Sequence, residues 1–364
     1  MLKKKILIIL PRYHTNYFHT INALIKDGYK VKLLVYNKSK IEDHSNLIPL
    51  KIKQSKFSKL LSRFFFKFNK MNRFYFPEYR KLEKIIINYK PNIVMIRSVN
   101  KFLLFMFFFL KLKNNFKLFV YMQASLNDLN KNNFIKKKLL EIFNKLLNVR
   151  YYSPVFEKKK INNNYFYLPL VSKINFFRKL PNNIFLNVGK FIEKKNHIFF
   201  IKGIEKLKNN NLKVKGIIIG EVSNKFHKKK YLQIANYINK RKLSNVIKIF
   251  INIKPKNMTK YFKKSQYYVH TAINDPAPIS IIEALAHNCK VICTHSCGTK
   301  NYINTKLNGK IIADNQIINL DFYMKLFLKR FRNDNSKTKK NLEYVNKNIS
   351  YKAFIKYFNL MIKN

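Results

Sequence analysis

Two carboxylates, Asp275 and Glu283, stand eight residues apart in the stretch NDPAPISIIEALAHNCKV. The chain has 74 Lys and Arg against 17 Asp and Glu, so the placement of each acid carries information. Pro276 and Pro278 set the start of a helix, and the first-turn N–H groups at Ile279, Ser280 and Ile281 have no intrahelical partner. With the helix dipole they make an anion site of the kind that holds phosphate. Glu283, one turn inside, is then placed to accept hydrogen bonds from ribose hydroxyls, and Asp275, on the loop, from the hydroxyls of a sugar. The competing reading is plain: acids are favoured near any helix N-terminus.

The complementary groups are cationic. LNVGKFIEKKNH puts Gly189, Lys190 and Lys195 on a loop between strand and helix, and IIIGE brings Gly220 and Glu221 to the end of a later strand. DPAPISIIEALAHNCKVICTHSCGTKNYI and NGKII follow. In this order and spacing, residues 184–312 resemble the glycosyl-transferase domain of family 4 glycosyltransferases. The resemblance implies an α/β chain with two Rossmann-like doubly wound domains facing across a cleft, the GT-B fold, and a retaining transfer from a nucleotide sugar. It implies catalytic roles for Asp275, Glu283, Lys195 and Lys190. The lysines would neutralise the donor's diphosphate as the leaving group gains charge, an interaction that grows towards the transition state. Gly189, Gly220, Glu221, Thr271, Ile279, Ser280, Ile281 and Gly298 are the implied donor-binding positions. Asp275 stands where the family pattern has Glu, Lys190 where it has Arg, and Asn301 where Glu is common. Lys190 supplies charge but not the bidentate fork of Arg. Since lysine is so abundant here, solvated surface is the competing reading for both Lys190 and Lys195.

The first half resembles the family only weakly. Where a glycine-rich turn often follows the first strand, this chain has PRYHTNYFHT, without glycine. Arg12, His14 and His19 are expected to face an acceptor cleft, together with Gln123, which stands in the place of a frequent His. Gln123 can bond a sugar hydroxyl but cannot act as a base. The resemblance implies that the leaving phosphate takes the acceptor's proton.

No Asp-x-Asp pair occurs, so the metal-holding pair of the other large glycosyltransferase architecture is missing and no metal or cofactor is expected. His287, Cys289, Cys293, His295 and Cys297 invite a zinc reading. A strand over 290–295 would separate Cys289 from Cys297 by more than about 20 Å at ~3.3 Å per residue, too far for one tetrahedral site. Buried small hydrophobes account better for three cysteines, an odd number that makes no disulfide framework.

A net charge of +57 with pI near 10.2 would ordinarily indicate nucleic acid or an anionic membrane. Lys, Asn, Ile, Phe and Tyr are all inflated, however, as an AT-rich coding sequence produces, and the lysines are spread rather than clustered. Nucleic acid is therefore not expected as partner. Two stretches, KFSKLLSRFFFKFNKMNRFYF (Lys56 to Phe76) and Lys101 to Lys113, mix bulky apolar residues with lysines and suit a helix resting on an anionic bilayer as well as they suit a core helix. The run FLLFMFFFL is too short to span a bilayer, and Ile6 to Leu10 too short for a signal-peptide core. A cytoplasmic protein is expected, with the inner face of the membrane as a second location.

These groups need a frame. Apolar runs alternating with helical patterns indicate two parallel sheets covered on both faces. In the first half, strands are expected at Lys4–Leu10, Val31–Tyr36, Pro91–Ile96 and Phe116–Met122, and helices at His19–Lys26, Tyr79–Tyr89, 101–113 and Asn132–Leu147. The alternation restarts with strands Ile184–Gly189, Lys213–Gly220, Val246–Ile251, Gln266–Thr271 and Lys290–His295. Helices His197–Lys208, Lys229–Arg241 and Ile279–Ala286 lie between them. The expected division is an acceptor-binding domain over 1–170, a nucleotide-sugar-binding domain over 184–345, and a terminal helix within 346–364 packing back on either. Six of the seven glycines lie in the second half. Survivors of so strong a depletion should mark positions where a Cβ is not tolerated, such as left-handed turns or backbone close to a ligand.

The expected activity is transfer of a sugar from a UDP- or GDP-sugar to a growing surface glycan or a lipid-linked saccharide. Two rivals are a nucleotide-sugar 2-epimerase, which would form product from donor alone, and a nucleic-acid-binding protein, whose binding would fall steeply with salt.

Overall fold

The computed structural model describes residues 4–38, 42–64, 76–97, 101–123, 145–146, 148–156, 164–176, 182–331 and 338–363. The chain divides into two compact units, residues 1–168 with 355–364, and 169–354.

The first unit is built on seven parallel strands: β1 (Lys5–Leu10), β2 (Lys30–Val35), β3 (Leu50–Lys51), β4 (Ile93–Arg97), β5 (Lys117–Tyr121), β6 (Val149–Ser153) and β7 (Tyr165–Tyr167), in the order β3-β2-β1-β4-β5-β6-β7. Ile6–Leu10 is buried at every position because helices cover both faces of the sheet, which is why the sequence there does not alternate. The helices are α1 (Thr15–Lys26), α2 (Lys56–Phe64), α3 (Tyr79–Tyr89) and α4 (Lys101–Lys113). Leu103, Phe107 and Leu110 of α4 join Leu7, Val94, Ile96 and Leu118 of the sheet in one core. The helix expected over Asn132–Leu147 lies outside the described residues apart from 145–146.

The second unit repeats the plan with six parallel strands: β8 (Ile184–Val188), β9 (Lys215–Gly220), β10 (Ile247–Ile251), β11 (Tyr267–His270), β12 (Lys290–Thr294) and β13 (Gly309–Ile312), in the order β10-β9-β8-β11-β12-β13. Its helices are α5 (His197–Asn209), α6 (Lys225–Lys240), α7 (Pro255–Lys264), α8 (Ile279–Ala286), α9 (Leu320–Phe331) and α10 (Thr338–Ile349). Phe185, Ile218, Val269 and Ile292 of the strands pack with Phe200 and Ile204 of α5 and Phe327 of α9. In both units the strand order reverses direction beside the first strand, at β1/β4 and at β8/β11. Open parallel sheets bind ligands at such points, outside the carboxyl ends of the strands.

The last helix, α11 (Tyr351–Lys363), ends against the first unit's sheet. Lys117 Nζ donates to the Ile362 carbonyl at 2.6 Å and Arg150 to that of Met361 at 3.3 Å. Both satisfy carbonyls that a helix C-terminus leaves unpaired, and both put positive charge at the negative end of its dipole.

The surviving glycines do mark positions closed to a Cβ, though rarely through left-handed turns. Among the described glycines only Gly28 has positive φ, at 89°. The left-handed positions are filled by seven asparagines and two lysines, asparagine being the residue other than glycine that tolerates them best. The glycines that survive do so for packing: a Cβ on Gly220 would lie 2.3 Å from the Phe191 ring, and one on Gly298 1.9 Å from the Pro276 carbonyl oxygen. All three cysteines are buried.

Candidate active site

The site forms at the β8/β11 reversal, where two loops are stapled to each other. Thr271, just past β11, donates its hydroxyl to the Lys195 carbonyl at 2.7 Å, and Asn196 donates back to the Thr271 carbonyl at 3.3 Å. Beneath them Asn187 of β8 donates to the Val269 carbonyl at 2.7 Å and to Thr271 Oγ1 at 3.2 Å. Buried His197 stands with Nδ1 2.5 Å from Asn187 Oδ1 and Nε2 3.1 Å from the Lys190 carbonyl oxygen. Burial pushes the His197 imidazole down to about 4, so it stays neutral. This polar chain is buried and hydrogen-bonded, and it holds the loop that carries Lys190 and Lys195 in a single conformation.

Lys195 reaches its position across Gly189. A Cβ there would sit 3.1 Å from Lys195 Cδ, so the absent side chain makes room for the lysine stem. The ammonium donates to Asp275 Oδ2. The same oxygen lies 3.0 Å from His270 Nε2. Burial opposes the Asp275 charge, but the hydrogen bond from His270 and the charges of His270 and Lys195 outweigh it and hold the carboxyl well below the usual carboxylate range. The Asp275 loop is pinned from behind, with Thr294 donating to the Ala272 carbonyl at 2.6 Å and Gly298 N to the Asp275 carbonyl at 2.9 Å.

Helix α8 starts four residues after Asp275, with Pro278 as its cap and no side-chain acceptor for its first turn. Ser280 accepts a hydrogen bond from Tyr268 at 2.6 Å, which fixes the first turn against β11. Glu283 is mostly buried, and among the described residues its carboxylate engages neither a cation nor a hydrogen-bond donor. Burial alone pushes its carboxyl up to about 7. Lys190, less buried than Lys195, pairs with Glu221 at 3.6 Å, the two sitting at the ends of β8 and β9.

The structure thus brings Gly189, Lys195, Thr271, Asp275 and Gly298 into one connected group, with Ile279, Ser280 and Ile281 on the adjoining helix turn and Lys190 with Glu221 beside it. Gly220 backs the site by admitting the Phe191 ring. Of the residues anticipated in the first unit, Arg12, His14 and Gln123 follow the carboxyl ends of β1 and β5, whereas His19 does not. Arg12 bonds His14 at 3.2 Å and lies 3.8 Å from Glu42. His19 lies inside α1, which begins at Thr15 and so earlier than its apolar pattern suggests. Gln123 accepts from Arg97 at 3.0 Å.

Sequence reasoning missed His270, His197, Asn187 and Arg97. Arg97 ends β4 at the β1/β4 reversal, over the rings of Tyr121 at 5.1 Å and Tyr17 at 5.8 Å. Its Nη1 and the Tyr121 hydroxyl are buried without a hydrogen-bond partner among the described residues. Orphaned polar atoms at a sheet's reversal point are the kind of feature a ligand explains. The only sequence signal for Arg97 is an arginine closing an apolar strand.

Comparisons with known proteins agree with this geometry. Residues 172–344 match the family of glycosyl transferases group 1. A capsular polysaccharide biosynthesis glycosyltransferase, CapH of Staphylococcus aureus, is 34% identical over 126 residues, 34% of each chain, so the match spans about a third of that relative. A glycosyltransferase structure from Rickettsia africae superposes over 100% of both chains with TM-score 0.76 at 16% identity. The Anabaena Alr3699/HepE structure in complex with UDP and glucose does so over 99% of both at TM-score 0.73 and 10% identity. Two Rossmann-like units in this order are the GT-B fold.

Proposed function

We propose that the chain is a glycosyltransferase that moves a sugar, with retention, from a UDP- or GDP-sugar to a saccharide of a surface glycan or to a lipid-linked saccharide. The carrying observation is Glu283: a carboxylate without a partner, one turn into a helix whose first N–H groups have no side-chain cap. A nucleotide supplies what both lack. The α8 N-terminus and Lys195 take the diphosphate, and Glu283 accepts from the ribose hydroxyls. Asp275 turns from Lys195 towards the sugar as the diphosphate takes over the ammonium.

As the glycosidic bond to phosphate lengthens, negative charge grows on the diphosphate, where Lys195, Lys190 and the helix dipole stabilise it. The leaving phosphate oxygen accepts the proton of the attacking hydroxyl, so no protein base is required. With these cations in place, transfer is expected to persist in EDTA. Arg97 and Tyr121 are candidates to bond acceptor hydroxyls in the first unit, beside Gln123, Arg12, His14 and His19. Neither an epimerase nor a nucleic-acid binder is favoured by any particular feature of the site.

The test is a thermal-shift screen of UDP, GDP and their sugars, in which ligand at a hundredfold over Kd stabilises by about 2.7 kcal/mol. Glu283→Ala abolishes the shift if the reading is right. A full shift in that variant removes Glu283 from donor binding.

A further inference from the structure

Helix α4 turns Leu103, Met106, Phe107 and Leu110 onto the sheet of the first unit. The face of a helix opposite such a buried stripe is ordinarily polar. Here it is not: Phe102, Phe105, Phe109 and Leu112, spaced to fall on one side of the helix, are exposed, Phe105 by 53% and Leu112 by 70%. The chain is lysine-rich almost everywhere else, so an apolar outer face is not what its composition would place there by default.

The face extends beyond one helix. Phe57 and Leu60 are exposed on α2. Phe76 stacks on Phe102 with ring centroids 5.1 Å apart and lies 6.2 Å from Phe57, so the two helices present one aromatic patch. Its rim is basic. Lys56, Lys59 and Arg63 are exposed on α2, Lys111 and Lys113 close α4, and neither helix contains an acid. Nearby Glu78 and Glu83 are already engaged, by Lys81 at 2.8 Å and Lys113 at 3.1 Å.

We propose that this α2/α4 face docks the chain on an anionic lipid bilayer, the rings and Leu112 entering the boundary between headgroups and acyl chains while the lysines and Arg63 meet lipid phosphates. A second copy is the poorer occupant, because a self-complementary pairing would press one lysine rim against another. Insertion stays shallow. Among the described residues no helix is long and apolar enough to cross a membrane, and α4 has 13 residues. The inference does not rest on the donor site and can fail or stand without it.

The chain has no tryptophan, so one introduced indole reports its own surroundings. The experiment places it by Phe105→Trp, or, as control, by Phe226→Trp at a position 83% exposed on the second unit. Each full-length variant is titrated with vesicles of phosphatidylcholine and phosphatidylglycerol, with and without brominated acyl chains. The indole at position 105 is expected to shift to the blue and be quenched by the brominated lipid, and the indole at 226 to do neither. Because a charge of +57 holds the chain loosely to any anionic surface, a second variant, Phe105→Ser with Phe109→Ser, keeps every charge. It should bind the vesicles at least about tenfold more weakly while keeping its thermal shift with UDP. An unquenched indole at 105, unchanged vesicle binding by the double variant, or a blue shift that appears with protein concentration in the absence of lipid overturns the proposal.

Discussion

Lys195 and Asp275 form an ion pair, made by two loops that Thr271 and Asn196 tie together. The lysine proposed to neutralise the diphosphate is therefore already neutralised, and donor must displace a carboxylate to use it. Asp275→Asn removes the competitor. UDP is expected to bind several-fold more tightly to this variant, while the additional affinity that a sugar confers on UDP-glucose falls, since the amide is a weaker acceptor for sugar hydroxyls. Calorimetric titration with the two ligands separates the effects. Asp275 also links stability to acid. Its carboxyl is held below the usual range in the fold, so its contribution is present above the unfolded value near 4 and is lost as pH falls further.

Glu283 has the opposite sign. Its carboxyl is raised to about 7 by burial, so between the unfolded value near 4.3 and pH 7 the folded chain holds a proton that the unfolded chain releases. Stability falls over that window as pH rises, by roughly 3 kcal/mol in all. Glu283→Gln is expected to melt higher than the parent at pH 8. Donor affinity runs the other way, because the ionised carboxylate is the better acceptor for ribose hydroxyls. UDP-glucose, whose diphosphate does not titrate between pH 6 and 8, should bind about tenfold more tightly at pH 8 than at pH 6, following the ionised fraction of Glu283. A flat affinity profile removes this carboxylate from the binding site.

Two glycines of the site should respond differently to the same methyl group. At Gly298 the new Cβ meets the Pro276 carbonyl oxygen at 1.9 Å, and backbone must move. Gly298→Ala is expected to destabilise by about 2–3 kcal/mol and to shift the Asp275 loop. At Gly189 the nearest atom is Lys195 Cδ, at 3.1 Å, on a side chain that can swing away. Gly189→Ala should cost less than about 1 kcal/mol in denaturant melts but weaken UDP binding several-fold by displacing the ammonium.

The parts legible in the sequence are those whose cause is local. The Ile6–Leu10 run is readable because a strand buried on both faces needs no polar residue, and α8 because Pro278 and the apolar turn after it mark a boundary. Strand β6, VRYYS, was not readable, since its arginine bonds an α11 carbonyl from far along the chain. His270 was missed for a related reason. Its role depends on the loop folding Asp275 back over the end of β11. The surviving glycines could be seen to matter, but whether a neighbour was a ligand or the Phe191 ring was a tertiary fact.

The first unit offers a test that needs no substrate. Tyr121 buries a hydroxyl that has no hydrogen-bond partner among the described residues, beside Arg97 and edge-on to Tyr17 and Tyr152. Burial pushes its phenol above the ordinary tyrosine range, so it is neutral and is missing only a partner for its O–H. A buried polar group left unsatisfied costs about 1–3 kcal/mol. Tyr121→Phe keeps the ring and its contacts with Arg97 while removing that cost, and is expected to stabilise the unit by about 1 kcal/mol in denaturant melts. Such a gain, where most substitutions at buried sites lose stability, is the mark of a residue kept for binding rather than packing. A destabilised Tyr121→Phe variant would mean that the hydroxyl serves the fold, and Arg97 and Tyr121 would no longer be candidates for holding the acceptor.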